Sequence, residues 1–249
     1  EKGKSILDEA NELALKYKKQ EAIQLVAGMY SDYYRRIGDM DNAHKNTQLS
    51  YNIAEILNQE LISFGAYVRM AESYYYRNQI DSTFHYLDKI TTLTDQLGIP
   101  FMVLLSNYYS GRYSYYNGDH KKSIKHFDFI IENIPPDFDL SMRVIPKAFN
   151  ALNHHAIGQS EESDGYIAFI QEELKEGSKF KEMEYYHVLV NAFLVNNKTD
   201  AAKQYILDAY DIIMEQSFKI KDRALRKAFL EKNHWNVKIL EVYKKLDPA

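Results

Sequence analysis

Two glutamates are each followed three positions later by a histidine, a spacing that places both side chains on one face of a helix. The pairs are Glu184 with His187 and Glu231 with His234. A di-metal centre in a helical bundle requires two such pairs and further carboxylates that project into one core. Because a helix break is expected at Asn233, inside the second pair, we predict no metal site.

Neither the adjacent histidines nor any common catalytic motif indicates an enzyme. His154 and His155 are neighbours, so on a helix they point about 100° apart and cannot hold one metal from one face. The chain has no Cys, which excludes thiolate ligands and Cys nucleophiles. The phosphate-binding loop, the HExxH pair and the GxSxG turn are absent from the sequence. We therefore predict a non-enzymatic protein with no catalytic residue, no cofactor and no metal.

Composition and charge restrict the class of partner. The formal net charge is −4 over 249 residues, and the densest Lys/Arg groups are interrupted, whereas nucleic-acid binding needs clustered cations. No apolar run approaches the roughly 18 residues of a membrane span. We expect this region neither to bind nucleic acid nor to enter a membrane. We favour a cytoplasmic location, or a periplasmic one if an upstream leader was removed, and the initial Glu indicates a fragment of a longer protein.

One sequence pattern, which predicts a helix followed by a tight turn and a second helix, recurs along the chain. Its clearest copy spans 114–136, where Asn117-Gly118-Asp119 forms the turn and Pro135-Pro136 ends the second helix. In every copy a small or polar residue stands early in the second helix, at steps of 40, 40, 40 and 39 residues. These residues are Ala43, Thr83, Ser123, Ser163 and Ala202. A fixed step of this size predicts a solenoid of repeated helix pairs.

Two more features recur at the same step. The first helix of each pair, helix A, ends at Gly or Asn, which tolerate the left-handed conformation of a helix C-terminus. The turns are Gly38-Asp39, Asn78-Gln79, Gly118-Asp119, Gly158-Gln159 and Asn197-Lys198. Seven residues before each turn stands a small or compact side chain that lets helix A cross the second helix, helix B, closely. These residues are Ser31, Ala71, Gly111, Ala151 and Val190.

This combination resembles the tetratricopeptide repeat (TPR) family. Tyr34, Tyr74 and Phe193 occupy the aromatic position of that pattern, whereas Ser114 and His154 depart from it. The repeat is longer than usual for the family and is similar to the repeats of bacterial regulators and sensors. The resemblance implies an all-α, right-handed α-α superhelix of about five to six helix pairs with a C-terminal capping helix.

The repeat step also predicts how the chain is divided. We expect a single solenoid domain over 1–249. Residues 4–17 are expected to be helix B of an upstream repeat, and 218–246 to form the cap. The predicted repeats are about 21–60, 61–100, 101–140, 141–180 and 181–216.

Many of the 21 tyrosines lie on the predicted A helices, which line the partner-binding concave face in the family. Tyr and Arg are frequent in binding hot spots, although the same tyrosines could simply fill space between helices. The predicted groove consists of Asp32, Arg35, Arg69, Glu72, Tyr76, Tyr108, Arg112, Tyr115, Leu152, His155, His187 and Asn191. Asp32, Glu72 and Arg112 occupy equivalent positions in three repeats, a mixed-charge ladder suited to an uncharged or zwitterionic extended peptide.

We predict a non-enzymatic scaffold that binds a protein or an extended peptide, as the partner- or ligand-sensing module of a larger bacterial regulator or signalling protein. An alternative is a free-standing adaptor or assembly factor that forms a homodimer through the terminal helix around Trp235. Packing inside the cap is the other interpretation of that tryptophan. An enzyme is the remote third hypothesis.

Overall fold

The computed structural model of the chain describes residues 2–174 and 178–246, which form helices and no strand. The first seven helices are α1 (Lys2–Lys16), α2 (Gln20–Arg36), α3 (Met40–Leu57), α4 (Glu60–Tyr76), α5 (Ile80–Leu97), α6 (Pro100–Tyr116) and α7 (His120–Asn133). The remaining helices are α8 (Leu140–Ala156), α9 (Ser160–Glu173), α10 (Met183–Val195), α11 (Thr199–Lys219), α12 (Arg223–Glu231) and α13 (His234–Leu246). None of the described helices is both long and apolar enough to cross a membrane.

Consecutive helices pack as pairs, α2 with α3, α4 with α5, α6 with α7 and α8 with α9, which confirms the predicted all-α helix-pair fold. The contacts divide the chain into two compact units. Unit 1 comprises 1–98 and 217–233, and unit 2 comprises 99–216 and 234–249. In unit 2, α10 contacts both α8 and the terminal helix α13.

The turns inside the pairs have the predicted backbone conformation. Their positive φ angles lie at Gly38, Asn78, Gly118, Gly158 and Asn197. The helix after the turn begins with a side-chain cap where the N-cap residue is an aspartate. The carboxylate of Asp39 accepts from the backbone N–H of Asn42, and that of Asp119 accepts from the N–H of Lys122. These bonds satisfy amide groups that a helix N-terminus leaves without an intrahelical partner.

The small residues on both helices bring the two backbones of a pair together. Ser123 Oγ donates to the carbonyl oxygen of Gly111 at 2.9 Å, and Ser163 Oγ donates to that of Ala151 at 2.8 Å. All four residues are buried. A larger side chain at either end of these bonds would separate the helices, so the repeat keeps both positions small.

The C-terminal segment forms two short helices, each of which packs within its own unit. In unit 1 the end of α12 approaches Gly38 so closely that a Cβ there would lie 2.6 Å from Lys232 Cβ. The side chain of Asn233 donates to the carbonyl oxygen of Arg36 at 2.8 Å. In unit 2, α13 packs against α10, and its Trp235 is only 7% exposed. Trp235 therefore packs inside the fold.

Replacing Gly111 by Leu should destabilise unit 2, because a Cβ at Gly111 would already lie 3.1 Å from the ring of Phe127. That ring is itself stacked on Phe149 at 4.7 Å. Overpacking of this kind costs about 1–3 kcal/mol in the free energy of unfolding, which urea denaturation measures. Gly165→Ala is the matched control, since nothing lies within 4 Å of a Cβ there. It should be neutral or stabilising by up to about 1 kcal/mol, and an equal loss in both variants would contradict the packing argument.

Candidate partner-binding surfaces

The A helices of unit 1 carry a connected set of charged side chains. Arg35 on α2 lies 3.3 Å from Asp32 on the same helix and 3.5 Å from Glu72 on α4. Arg69 on α4 lies 3.8 Å from Asp32. The exposed fractions of these four side chains run from 15% to 40%. They form an ordered surface that is still accessible to solvent.

Two further contacts fix the shape of this surface. The guanidinium of Arg35 lies 6.0 Å from the ring centroid of Tyr76, a cation–π contact. Arg69 lies against Gly28, where a Cβ would stand 2.9 Å from the guanidinium carbon. Gly28 therefore leaves the space that the Arg69 head group occupies. We call the set Asp32, Arg35, Arg69, Glu72 and Tyr76 the unit 1 face.

The crevice beneath the unit 1 face is almost filled. Its volume is about 10 Å³, and its lining includes Ser31, Met40 and Thr47. This space is about one water molecule in size, so no side chain of a partner fits into it. Recognition on this side would use the charged and aromatic groups at the surface rather than a deep pocket.

In unit 2 the equivalent helices contain a buried ion pair. Arg112 Nε donates to Glu184 Oε1 at 2.6 Å, and the two side chains are 4% and 7% exposed. The Tyr116 hydroxyl donates to the same carboxylate oxygen at 2.8 Å, and Arg112 also donates to the Tyr113 hydroxyl at 3.2 Å. Burial of both charges is offset by their mutual attraction and these additional hydrogen bonds. The network joins α6 to α10 inside unit 2.

This burial corrects the expected exposure of three predicted groove residues. Arg112 is not available for a mixed-charge ladder because its guanidinium is buried against Glu184. Tyr108 is buried between the rings of Phe127 and Tyr185, at centroid distances of 6.2 and 6.4 Å. Leu152 is buried as well. The choice between surface and core, which the tyrosine clusters leave open in the sequence, is decided for Tyr108 in favour of the core.

The terminal helix α13 lies against one predicted groove residue of unit 2, His187. The ring of Trp235 on α13 contacts Tyr116 of α6 at 5.7 Å and His187 of α10 at 5.5 Å. The Lys238 ammonium lies 5.2 Å from the same indole. The Asn191 side chain donates back to the carbonyl oxygen of His187 at 2.7 Å. Part of the predicted groove is thus in contact with the chain's own terminal helix.

The remaining predicted residues are accessible to different degrees. Tyr115 is half-buried, with its ring 5.2 Å from that of Phe149. His155 is exposed near the end of α8. The structure thus brings together the five predicted residues of unit 1 on one surface. Those of unit 2 are dispersed: Tyr108, Arg112 and Leu152 are buried, His187 contacts α13, Tyr115 and Asn191 are partly exposed, and His155 is exposed.

The Glu-x-x-His pair at 184 and 187 has a structural role. The Glu184 carboxylate accepts from Arg112 and Tyr116, and His187 lies against Trp235. Over the part of the chain that the structure describes, no group of three or more His, Cys, Asp or Glu side chains could hold a metal ion.

Two histidines near Trp235 have strongly lowered pKa values. Burial, with smaller effects from Lys238 and His234, lowers the pKa of His187 to about 3. Burial, Lys238 and Arg112 lower the pKa of His234 to about 4. Both imidazoles are therefore neutral near pH 7, because a charged form would be desolvated and would face cations.

Sequence reasoning does not anticipate the contacts that Glu184 and Trp235 make. Glu184 has the spacing of half a metal pair, yet it is the partner of an arginine 72 residues earlier in the chain. No local pattern identifies such a long-range pair. The sequence does offer one indication: Glu184 precedes a largely apolar stretch of helix A, where a charged residue requires a buried partner.

Comparison with known proteins places the fold. No family model matches the chain, and no curated protein matches it either. A crystal structure of the nearly identical TPR-like repeats of the Podosopora anserina "putative kinesin light chain" aligns with a TM-score of 0.55 at 14% sequence identity. The alignment covers 79% of this chain and 96% of that one. The crystal structure of a variant of the same repeats gives the same TM-score and identity, with 77% and 95% covered.

The chain has a TPR-like repeat fold. At this level of identity the comparison shows the fold alone.

Breaking the buried ion pair of the TPR-like unit 2 should be strongly destabilising. Arg112→Met leaves the Glu184 carboxylate buried without its cation, which typically costs about 3–5 kcal/mol in the free energy of unfolding. The double variant Arg112→Met/Glu184→Met should lose less than the single one, because the buried Glu184 carboxylate is removed together with its arginine. Urea denaturation of the two variants measures the difference.

The exposed pair Lys227–Glu231, at 3.8 Å with side chains 72% and 62% exposed, provides the control. Lys227→Met should change the free energy of unfolding by no more than about 0.5 kcal/mol. If the double variant at 112 and 184 were less stable than Arg112→Met, the loss in Arg112→Met could not be due to the unpaired Glu184 carboxylate.

The free energy of unfolding should fall as the pH is lowered, because His187 and His234 take up protons more readily in the unfolded chain than in the folded one. Their pKa values in the folded state, about 3 and about 4, lie below the ordinary value of 6.5. Below pH 6.5 the unfolded chain therefore binds protons that the folded chain does not, so stability is complete above about pH 6.5 and is lost as the pH falls towards 4. Urea midpoints measured at several pH values between 7 and about 4.5 test this.

The comparison variant is His187→Gln, which cannot take up a proton in the unfolded state. Its urea midpoint should fall less steeply with decreasing pH than that of the unmodified chain. Carboxylates contribute equally to both proteins, so the difference in slope isolates the imidazole. Parallel slopes would show that His187 does not carry the effect.

Proposed function

We propose that this protein is a non-enzymatic scaffold that binds an extended peptide segment of a partner protein through the unit 1 face. The observation that carries the proposal is the connected set Asp32, Arg35, Arg69 and Glu72, which is held in ion pairs yet remains partly exposed. Side chains that are already ordered lose little conformational entropy when a ligand binds. This arrangement supports a preformed recognition surface.

The chemistry of the face indicates the kind of peptide. Two carboxylates alternate with two guanidinium groups, so a ligand of one charge sign would meet repulsion as well as attraction. An extended segment with both charge signs, or with none, can satisfy the face through backbone and side-chain hydrogen bonds. Tyr76 adds an aromatic surface of the kind that is frequent in binding hot spots. A near-neutral peptide is therefore the proposed ligand class.

The contrast with unit 2 supports the choice of surface. There the buried Arg112–Glu184 pair and the packing of Trp235 against Tyr116 and His187 engage the equivalent helices. A partner would have to displace α13 to reach them. The unit 1 face needs no such rearrangement.

The resemblance to long-repeat bacterial regulators extends the proposal to a biological setting, in which the chain is the partner-sensing module of a larger regulator or signalling protein. Self-association through Trp235 is the competing idea. Because that side chain is 7% exposed, a dimer formed through it would require α13 to leave α10.

Selection of peptides from a phage-displayed random library tests the proposal. Peptides selected on the unmodified protein should bind the double variant Arg35→Gln/Glu72→Gln at least about tenfold more weakly, a loss of roughly 1.4 kcal/mol. The double change removes one charge of each sign and so leaves the net charge unaltered. Fluorescence anisotropy with synthetic copies of the selected peptides measures the affinities.

The matched control is Lys45→Ala/Glu60→Ala, which also removes one charge of each sign from exposed positions of unit 1. It should bind the selected peptides as the unmodified protein does. Failure to select any peptide, or equal affinity for both double variants, would overturn the assignment of the unit 1 face.

A further inference from the structure

A second surface, in unit 2, has the properties of a small-molecule site. A cleft of about 650 Å³ opens between α7, α8 and α9, which we call the α7–α9 cleft. Sites for small ligands usually have volumes of about 300–1,000 Å³ and combine apolar walls with a few polar groups. Phe169 and Tyr166 supply aromatic walls here, and Lys147 and Asp128 supply charged groups. None of these residues belongs to the peptide surface proposed above.

Lys147 is a buried cation that lacks an ion-pair partner among the described residues. Its side chain is on α8 and only 8% of the residue is exposed. The ammonium donates to the carbonyl oxygen of Arg143 at 3.0 Å and lies 4.0 Å from the ring centroid of Phe169. The neighbouring carboxylate, Glu173, pairs instead with Arg143. A buried ammonium with three protons to donate is stabilised by an anion, so the cleft offers a place for one.

The other charged groups of the cleft are acidic. The Asp128 carboxylate on α7 accepts from the Asn150 side chain at 2.7 Å and from the Tyr166 hydroxyl at 3.1 Å. These bonds hold the carboxylate in a fixed position. Glu162 on α9 adds an exposed carboxylate to the lining. A ligand in the cleft therefore meets one cation and two anions.

The aromatic wall is ordered and partly open to solvent. The Tyr166 ring stacks on His154 at a centroid distance of 5.6 Å, and Phe169 is 44% exposed. An exposed phenylalanine beside a buried ammonium leaves apolar area uncovered. A flat apolar group could cover this area while its polar end reaches the charges.

Gly165 provides independent support because it stands inside α9 without a packing reason. Nothing lies within 4 Å of the Cβ it would carry, and its backbone does not have positive φ. Glycine inside a helix costs about 0.5–1 kcal/mol relative to alanine. It lines the cleft, so the missing side chain keeps the cleft open.

We propose that the α7–α9 cleft binds a small zwitterion with a large apolar body, of the chemical class of an aromatic amino acid. The ligand carboxylate would pair with the Lys147 ammonium, the ligand ammonium would face Asp128 and Glu162, and the ring would cover Phe169 and Tyr166. A simple anion would be repelled by the two carboxylates, and a simple cation by Lys147. A zwitterion can pair with Lys147 through its carboxylate and with Asp128 and Glu162 through its ammonium.

Isothermal titration with L-phenylalanine tests the proposal, with 3-phenylpropionate and phenethylamine as probes that carry only one of the two charges. L-Phenylalanine should bind, and each single-charge probe should bind at least about tenfold more weakly, since a charge-assisted contact is lost. Absence of binding by L-phenylalanine would overturn the proposal. Equal binding of either single-charge probe would overturn the zwitterion assignment.

Two variants locate the binding. Gly165→Leu fills the cleft and should abolish the L-phenylalanine signal, whereas Gln171→Leu, at an exposed position of α9 outside the cleft lining, should not. Lys147→Met removes the ammonium while keeping an apolar stem, and should weaken binding at least about tenfold. Unchanged affinity in Gly165→Leu would show that the probe binds elsewhere and would refute the site.

Thermal unfolding of each variant establishes that the folded chain is being titrated. The Arg35→Gln/Glu72→Gln variant should bind L-phenylalanine as the unmodified protein does, because its changes lie in unit 1. Failure of the cleft and failure of the peptide surface therefore give separate results.

Discussion

The close contact between the two helices of a pair is the constraint on which the rest of the structure depends. A helix pair cannot bury its apolar face alone and must stack on its neighbours. Stacking requires the backbones to approach closely, as they do where Ser123 donates to the carbonyl oxygen of Gly111 and Ser163 to that of Ala151. Each turn then has to reverse the chain at once, which the left-handed residues at the ends of the A helices accomplish.

Arginine side chains on the A helices have different surroundings in the two units. Arg35 and Arg69 in unit 1 share partly exposed ion pairs with Asp32 and Glu72. Arg112 in unit 2 is almost completely buried, where its guanidinium pairs with Glu184 and lies 4.9 Å from the ring centroid of Tyr113. A guanidinium on an A helix is therefore partly exposed in unit 1 and part of the core in unit 2. The partners, not the residue type, decide which.

Each unit also has a cleft beside its B helices in which a lysine lies next to aromatic rings. In unit 1 the ammonium of Lys89 on α5 donates to the Tyr51 hydroxyl at 3.1 Å and lies 5.1 Å from the ring of Tyr67. In unit 2, Lys147 meets one aromatic ring and an open volume. A lysine enclosed by aromatic rings within the chain is satisfied internally. Both lysines line an open cleft, of about 320 Å³ at Lys89 and about 650 Å³ at Lys147, and the larger one is the cleft proposed to bind a ligand.

The sequence alone determined the helix pairs, the turn positions and the all-α fold, because these depend on local properties: helical periodicity, small side chains and residues that accept positive φ. It also brought together the five residues of the unit 1 face by their place in the repeat. Only the tertiary structure decided that Tyr108 and Arg112 are buried, that Glu184 pairs with Arg112, and that Trp235 packs against α6 and α10. Those outcomes depend on contacts between residues far apart in the chain, for which the repeat spacing contains no information.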